Sequence, residues 1–130
     1  MHEPIPIGEF IATSRLNDFP ENVVSKARWA LVDTLGVGLA GSTSRASHIT
    51  REFLRDFPMG PSESTVWGTG EKTSCLWASL ANSIASSCLD ADDGHRGALG
   101  HPGAVIIPST VALGEKMGVS GALLLEAIII

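Results

Sequence analysis

The chain has 130 residues, 44% of them hydrophobic and 18% charged, and nine Lys and Arg against fourteen Asp and Glu leave a formal charge of -5. That length bounds one domain with a core of its own, and the acidic balance, with its cations scattered, excludes the electrostatic footprint of a nucleic-acid binder. No apolar run approaches the roughly 18 residues of a membrane helix, and Met1-His2-Glu3-Pro4 lacks the basic segment of a secretory signal, so a cytoplasmic protein with no membrane partner is expected.

The first helical pattern runs from about Ile5 to Leu16 and stops at Asn17-Asp18-Phe19-Pro20, because Pro20 pushes Phe19 out of α geometry. Pro20 itself suits the first turn of the next helix. That helix carries Val23, Val24, Ala27, Ala30, Leu31, Thr34, Leu35 and Gly38 at three- and four-residue spacings, a broad apolar stripe. Its tail spells Gly36-x-Gly38-x-x-Gly41, formally a dinucleotide-binding fingerprint. The glycines follow a helical pattern rather than a strand, however, and no βαβ unit can be traced, so they read as helix packing and C-capping.

A further amphipathic pattern covers Ser44 to Phe57, using Ile49, Phe53, Leu54 and Phe57, and the stretch from Pro58 to Pro61 ends it. Ser64-Thr65-Val66-Trp67-Gly68 is extended in character but too brief and isolated to found a sheet. The helix expected from Thr73 to Leu89 is rich in Ala78, Ser79, Ala81, Ser83, Ala85, Ser86 and Ser87, small enough to admit a close helix neighbour. Pro108 is expected in the first turn of a helix reaching Met117, and Ser120 as the cap of the last one. Ile128-Ile129-Ile130 continues an apolar helical pattern without a Gly, Asn or basic residue to close it. Residues 1–130 therefore read as an all-α helical bundle whose last helical pattern is left unclosed.

Cys75 and Cys88 lie in one helical pattern, which holds their Cα atoms roughly 20 Å apart and out of disulfide reach. They are expected as buried small side chains, and no Cys-x-x-Cys spacing supports a structural zinc site. Trp29, Trp67 and Trp77 are expected in the core or in contacts. Asp33 is expected as a buried hydrogen-bond partner, and His2 and His48 as surface or locally bonded residues.

Chemistry concentrates in Leu89-Asp90-Ala91-Asp92-Asp93-Gly94-His95-Arg96, followed by Gly100-His101-Pro102-Gly103. A turn-rich stretch this charged, in a chain otherwise poor in charge, is either a solvated acidic turn or a site. Three aspartates within four positions, Asp90, Asp92 and Asp93, cannot all ionise cheaply if the loop is partly buried, which suits one of them to proton transfer. His95 and His101 supply imidazoles, a group whose unperturbed pKa lies near neutrality, Arg96 offers a planar cation for a substrate carboxylate, and the backbone at Pro102-Gly103 can approach an anion. Together these parts suit removal of a proton next to a carboxylate, which needs a base, donors for the developing charge and an acid. A calcium loop fails: counted from Asp90, glycine falls at position 5 instead of 6 and His101 stands where glutamate belongs at position 12. A mononuclear metal on His95, His101 and an aspartate stays open, without a helical His pair to strengthen it.

The same stretch resembles the MmgE/PrpD family, enzymes that dehydrate, decarboxylate or epimerise small polycarboxylates such as 2-methylcitrate, cis-aconitate and iminodisuccinate. The resemblance also covers residues 27–42 from Ala27-Arg28-Trp29-Ala30 to Gly41-Ser42, Val66-Trp67-Gly68-Thr69-Gly70, Ala81-Asn82-Ser83-Ile84-Ala85, Pro108-Ser109-Thr110-Val111-Ala112-Leu113-Gly114-Glu115 and Gly121-Ala122-Leu123-Leu124-Leu125-Glu126-Ala127-Ile128, in that order. It implies that residues 1–130 are the amino-terminal portion of an all-α helical domain truncated at its carboxyl end, with no cofactor, a small polycarboxylate substrate and a homodimer. In the family's decarboxylase branch, the aspartate opening the Asp-x-Asp-Asp run and the histidine of the His-Pro pair belong to the active site. They correspond to Asp90 and His101, with Asp93, His95 and Arg96 as substrate-binding neighbours. Gly94 stands where that branch has threonine, and the Gly-His-Arg wording departs from the dehydratase branch, which leaves the substrate open. The resemblance places a later catalytic histidine and lysines beyond Ile130, so the chain alone is expected to be catalytically incomplete. The competing reading is a noncatalytic helical module that self-associates through small-residue and apolar faces.

Overall fold

A computed structural model describes residues 6–57, 60–97 and 99–130. The elements run in the order α1 (Ile7–Thr13), a 3-10 turn (Leu16–Asp18), α2 (Glu21–Gly41), α3 (Arg45–Arg55), β1 (Ser64–Thr65), β2 (Lys72–Thr73), α4 (Cys75–Ser87), α5 (Pro102–Met117) and α6 (Gly121–Ile129). The expectation for His2 and the parts of two others that fall on Ile5 and Pro58 lie outside the described residues. The fold is mostly α, as the periodicity implied, with one small hairpin added.

The small-residue helix α4 sits at the centre, packed on α5 and α2 and touched by α3. Ala78, Ala81 and Ala85 are buried, and so are the polar Asn82 and Ser86. Short side chains let neighbouring backbones approach. Gly41 shows how close: a Cβ there would run into the Ala85 carbonyl, while one at Gly38 would come within 2.7 Å of the Trp67 ring and 2.8 Å of Ser86 Oγ. Gly36 has nothing within 4 Å, so only two of the three fingerprint glycines serve packing. The C-cap is Ser42, in right-handed geometry, so the expected glycine C-cap is not formed.

Pro20 is one position earlier than expected, at the N-cap of α2, and its carbonyl accepts from Val23 and Val24. Ser44 and Ser120 cap α3 and α6, each hydroxyl accepting a backbone N–H three residues on, from Ser47 at 3.1 Å and Leu123 at 3.3 Å. Further sequence expectations are corrected. Ser64-Thr65 does find a strand partner, pairing antiparallel with Lys72-Thr73. The pairing was hidden because two residues per strand carry no alternation. Pro108 lies buried inside α5 rather than in its first turn, a place taken by Pro102. The helix accepts the lost N–H because the apolar pattern on both sides of Pro108 buries the same face. Finally, Asp33 and Trp29 are exposed, whereas Trp67 is buried and Trp77 packs on the Leu54, Val66 and Ala81 cluster. Cys75 and Cys88 are free and half-buried.

The hairpin clamps α4 to α5. Asn82 accepts from the Trp67 N–H at 2.9 Å through Oδ1 and donates to the Thr65 carbonyl at 2.9 Å through Nδ2. On the other side Ser64 Oγ donates to the Ala112 carbonyl, and Glu115 accepts from the Thr65 N–H and hydroxyl, each at 2.6 Å. Fixing α4 against α5 fixes both ends of the charged loop between them.

Candidate active site

The loop leaves α4 through Cys88, the helix C-cap, and reaches Asp90 in left-handed geometry, φ +52. Aspartate tolerates that conformation better than most residues, and here it turns the chain out of the helix. The Asp90 side chain lies on the exposed outer part of the loop. Further along, the His95 N–H donates to the Gly100 carbonyl at 2.9 Å, closing a small loop between those residues. His101 is the N-cap of α5, but its side chain does not cap.

The capping work falls to Asp93, whose Oδ1 accepts the Gly103 N–H at 2.9 Å. A helix N-terminus with free N–H groups favours a carboxylate there. The anion site expected at Pro102-Gly103 is thus occupied by the chain's own Asp93. Gly103 must be glycine for the approach, because a Cβ would collide with the Asp93 carboxylate and stand 2.9 Å from Thr34 Oγ1.

With capping settled by Asp93, the His101 imidazole is free to meet Asp92, Nδ1 lying 3.4 Å from Asp92 Oδ1. The Asp92 side chain is only 3% exposed against 48% for His101. Asp92 Oδ2 is buried with no hydrogen-bond partner among the described residues. The sequence pattern sets this aspartate among three and gives it no role of its own; the only signal is its place in the middle of the acidic run, which does not distinguish an inward side chain from an outward one.

Two cavities border the loop. One, about 290 Å³, is lined by Gly94, His95, Arg96, Leu99, Gly100 and His101. The other, about 160 Å³, is more apolar and is lined by Asp93 and Gly103 together with Ala30, Ile106, Ile107 and Ile128. The five residues singled out from sequence are therefore distributed: His95, Arg96 and His101 share the larger cleft, Asp93 borders the second, and Asp90 lines neither. Among the described residues no three His, Cys, Asp or Glu side chains converge as metal ligands.

Fold and loop define a class: an all-α domain whose central helix hands an acidic, imidazole-bearing loop to the N-terminus of the next helix, beside a surface cleft. The sequence profile of the MmgE/PrpD N-terminal domain matches residues 6–130, and the chain belongs to that family. It is 28% identical over 104 residues to the human (Homo sapiens) cis-aconitate decarboxylase and 26% identical over 104 residues to the mouse (Mus musculus) protein of the same name. Each match covers 79% of this chain and 21% of the relative, so the chain spans about a fifth of the length of the curated relatives it matches. No helix among the described residues is long and apolar enough to cross a membrane.

Proposed function

We propose that this domain supplies part of the active site of a cofactor-independent enzyme that moves a proton next to a carboxylate of a small di- or tricarboxylate. The observation that carries the reading is the cleft where Arg96, His95 and His101 meet beside the acidic loop. A guanidinium pairs with a substrate carboxylate in two-point geometry, and an imidazole takes or returns a proton near neutrality. In this reading Asp90 and His101 transfer protons, while His95 and Arg96 in the larger cleft and Asp93 at the second cavity contact the substrate. Dehydration, decarboxylation and epimerisation all share the step: a base removes a C–H proton, the electron pair is delocalised toward the neighbouring carboxylate, and an acid protonates the leaving hydroxyl or the carbanion. The names of the two relatives make cis-aconitate the first substrate to try. A homodimer in the cytoplasm belongs to the same proposal.

The test is turnover of a polypeptide of the relatives' full length that carries this sequence. Asp90→Asn and His101→Ala are each expected to lower kcat on the order of 10²–10⁴-fold with helical circular dichroism unchanged. Near-normal turnover in both would remove the assignment. Activity is expected to survive exhaustive chelation, and its loss and recovery with a divalent cation would favour the metal reading instead.

The second reading, a noncatalytic self-association module, draws on the exposed apolar side chains Trp29, Val32 and Leu39 along one side of α2. The small-residue face of α4 no longer supports it, since Ala78, Ala81 and Ala85 are used inside the fold.

A further inference from the structure

We infer that Asp92 is a positioning residue for His101: its buried carboxylate holds the proton of the imidazole on Nδ1 and leaves Nε2 as the lone-pair nitrogen of a ring that lines the cleft. The inference rests on the reading of that cleft as the reaction site, but the pairing itself is independent of any turnover.

The two buried-side aspartates of the loop do different things. Asp93 has a structural task, accepting the Gly103 N–H at the start of α5. The Asp92 side chain is almost wholly buried, its Oδ1 lies 3.4 Å from His101 Nδ1, and its Oδ2 has no hydrogen-bond partner among the described residues. A carboxylate taken out of water with half its acceptor capacity unused is a liability to the fold, of the kind that gathers at functional sites. Its geometry has a definite chemical effect. An ionised carboxylate can only accept, so the ring nitrogen facing it must carry hydrogen. With Nδ1 protonated, Nε2 has the lone pair a general base requires. When Nε2 takes the proton of the substrate, the new imidazolium charge forms beside a carboxylate already in place, without reorganising solvent. The 3.4 Å separation is long for a hydrogen bond, and catalytic contacts of this sort commonly tighten when substrate fills the site.

The molecule carries its own control. His48 Nδ1 lies 3.2 Å from an Arg51 guanidinium nitrogen, and a guanidinium can only donate. His48 must therefore accept at Nδ1 and carry its proton on Nε2, the opposite tautomer to the one inferred for His101.

Long-range proton–nitrogen correlation spectra of the 15N-labelled 130-residue chain, recorded above the imidazole titration range, separate the two forms. Signals are assigned by replacing His2, His48 and His95 singly with Gln. The expected result is His101 protonated on Nδ1 and His48 on Nε2 in one spectrum, with Asp92→Leu, which leaves no side-chain acceptor facing Nδ1, releasing His101 toward the Nε2–H form that a free histidine side chain prefers. His101 showing the same tautomer as His48, or keeping the Nδ1–H form unchanged in a folded Asp92→Leu chain, would overturn the inference. If that variant does not fold, the comparison of His48 with His101 in the unsubstituted chain decides alone. A turnover assay that fails while His101 is protonated on Nδ1 removes the catalytic reading and leaves the pair; the reverse pattern removes the pair.

Discussion

Glycine positions make the sharpest residue-scale test, because the three glycines of the α2 tail have identical sequence status and different surroundings. At Gly36 a Cβ meets nothing within 4 Å, so Gly36→Ala changes only helix propensity and is expected to stabilise the domain by about 0.5–1 kcal/mol. At Gly41 the Cβ would enter the Ala85 carbonyl, and at Gly38 it would press on Trp67 and Ser86. Either alanine there is expected to destabilise by about 1–3 kcal/mol through overpacking. Urea unfolding midpoints of the three variants read the difference, and equal effects at all three would contradict the packing described. In the loop, Asp93→Ala removes the carboxylate from the start of α5 and is expected to cost about 1 kcal/mol. This distinguishes Asp93 from Asp90, whose exposed side chain supports no helix end. None of these contrasts was legible in the residues alone: Gly-x-Gly-x-x-Gly identified helix packing in general, and the neighbours that make two glycines necessary come from 25 or more residues downstream.

Between elements, the hairpin holds α4 and α5 through few groups, and one of them titrates. Burial pushes the Glu115 carboxyl upward, but hydrogen bonds from the Thr65 hydroxyl and N–H, with the nearby Lys72 charge, outweigh that and hold it below the ordinary glutamate value. A carboxyl with its folded-state pKa depressed stabilises the fold above its unfolded-state value, and that contribution disappears as pH falls through the lower, folded-state value. Acid titration of the unfolding midpoint is therefore expected to show a loss in that window, and Glu115→Gln to remove this component; an unchanged acid limb in the variant would refute the clamp. Asn82→Ala leaves the Trp67 N–H and Thr65 carbonyl without their partner and is expected to destabilise by about 1–3 kcal/mol, read from the same unfolding curves. The helices themselves were legible because their apolar spacing and their serine caps act within a few residues. The hairpin was not, since its stability resides in Asn82 and Glu115, side chains on helices distant in sequence.

At the level of the whole molecule, the apolar surface is unevenly distributed. Trp29 is 71% exposed, with Val32 and Leu39 further along the same helix, while Trp67 is buried and Trp77 lies against the core cluster. Acrylamide is expected to quench one class of tryptophan strongly, and Trp29→Phe to remove that class. Light scattering across a concentration series tests the association reading: a mass that rises while Trp29 becomes shielded supports an interface on α2, and a constant monomer mass with Trp29 open at every concentration counts against it.

What the sequence by itself determined is what depends on near neighbours: the apolar periodicity of α2, the small-residue character of α4, the serine caps of α3 and α6, and a short run of carboxylates and imidazoles whose wording points to the MmgE/PrpD family. Burial of each loop side chain was decided only in the tertiary structure. Asp90, Asp92 and Asp93 fall within four positions, yet one is exposed, one is buried against His101, and one caps α5. The physical reason is that a loop has no periodicity to assign its faces. Where α5 begins, and how closely α2 and α4 hold it, dictates which carboxylate turns inward.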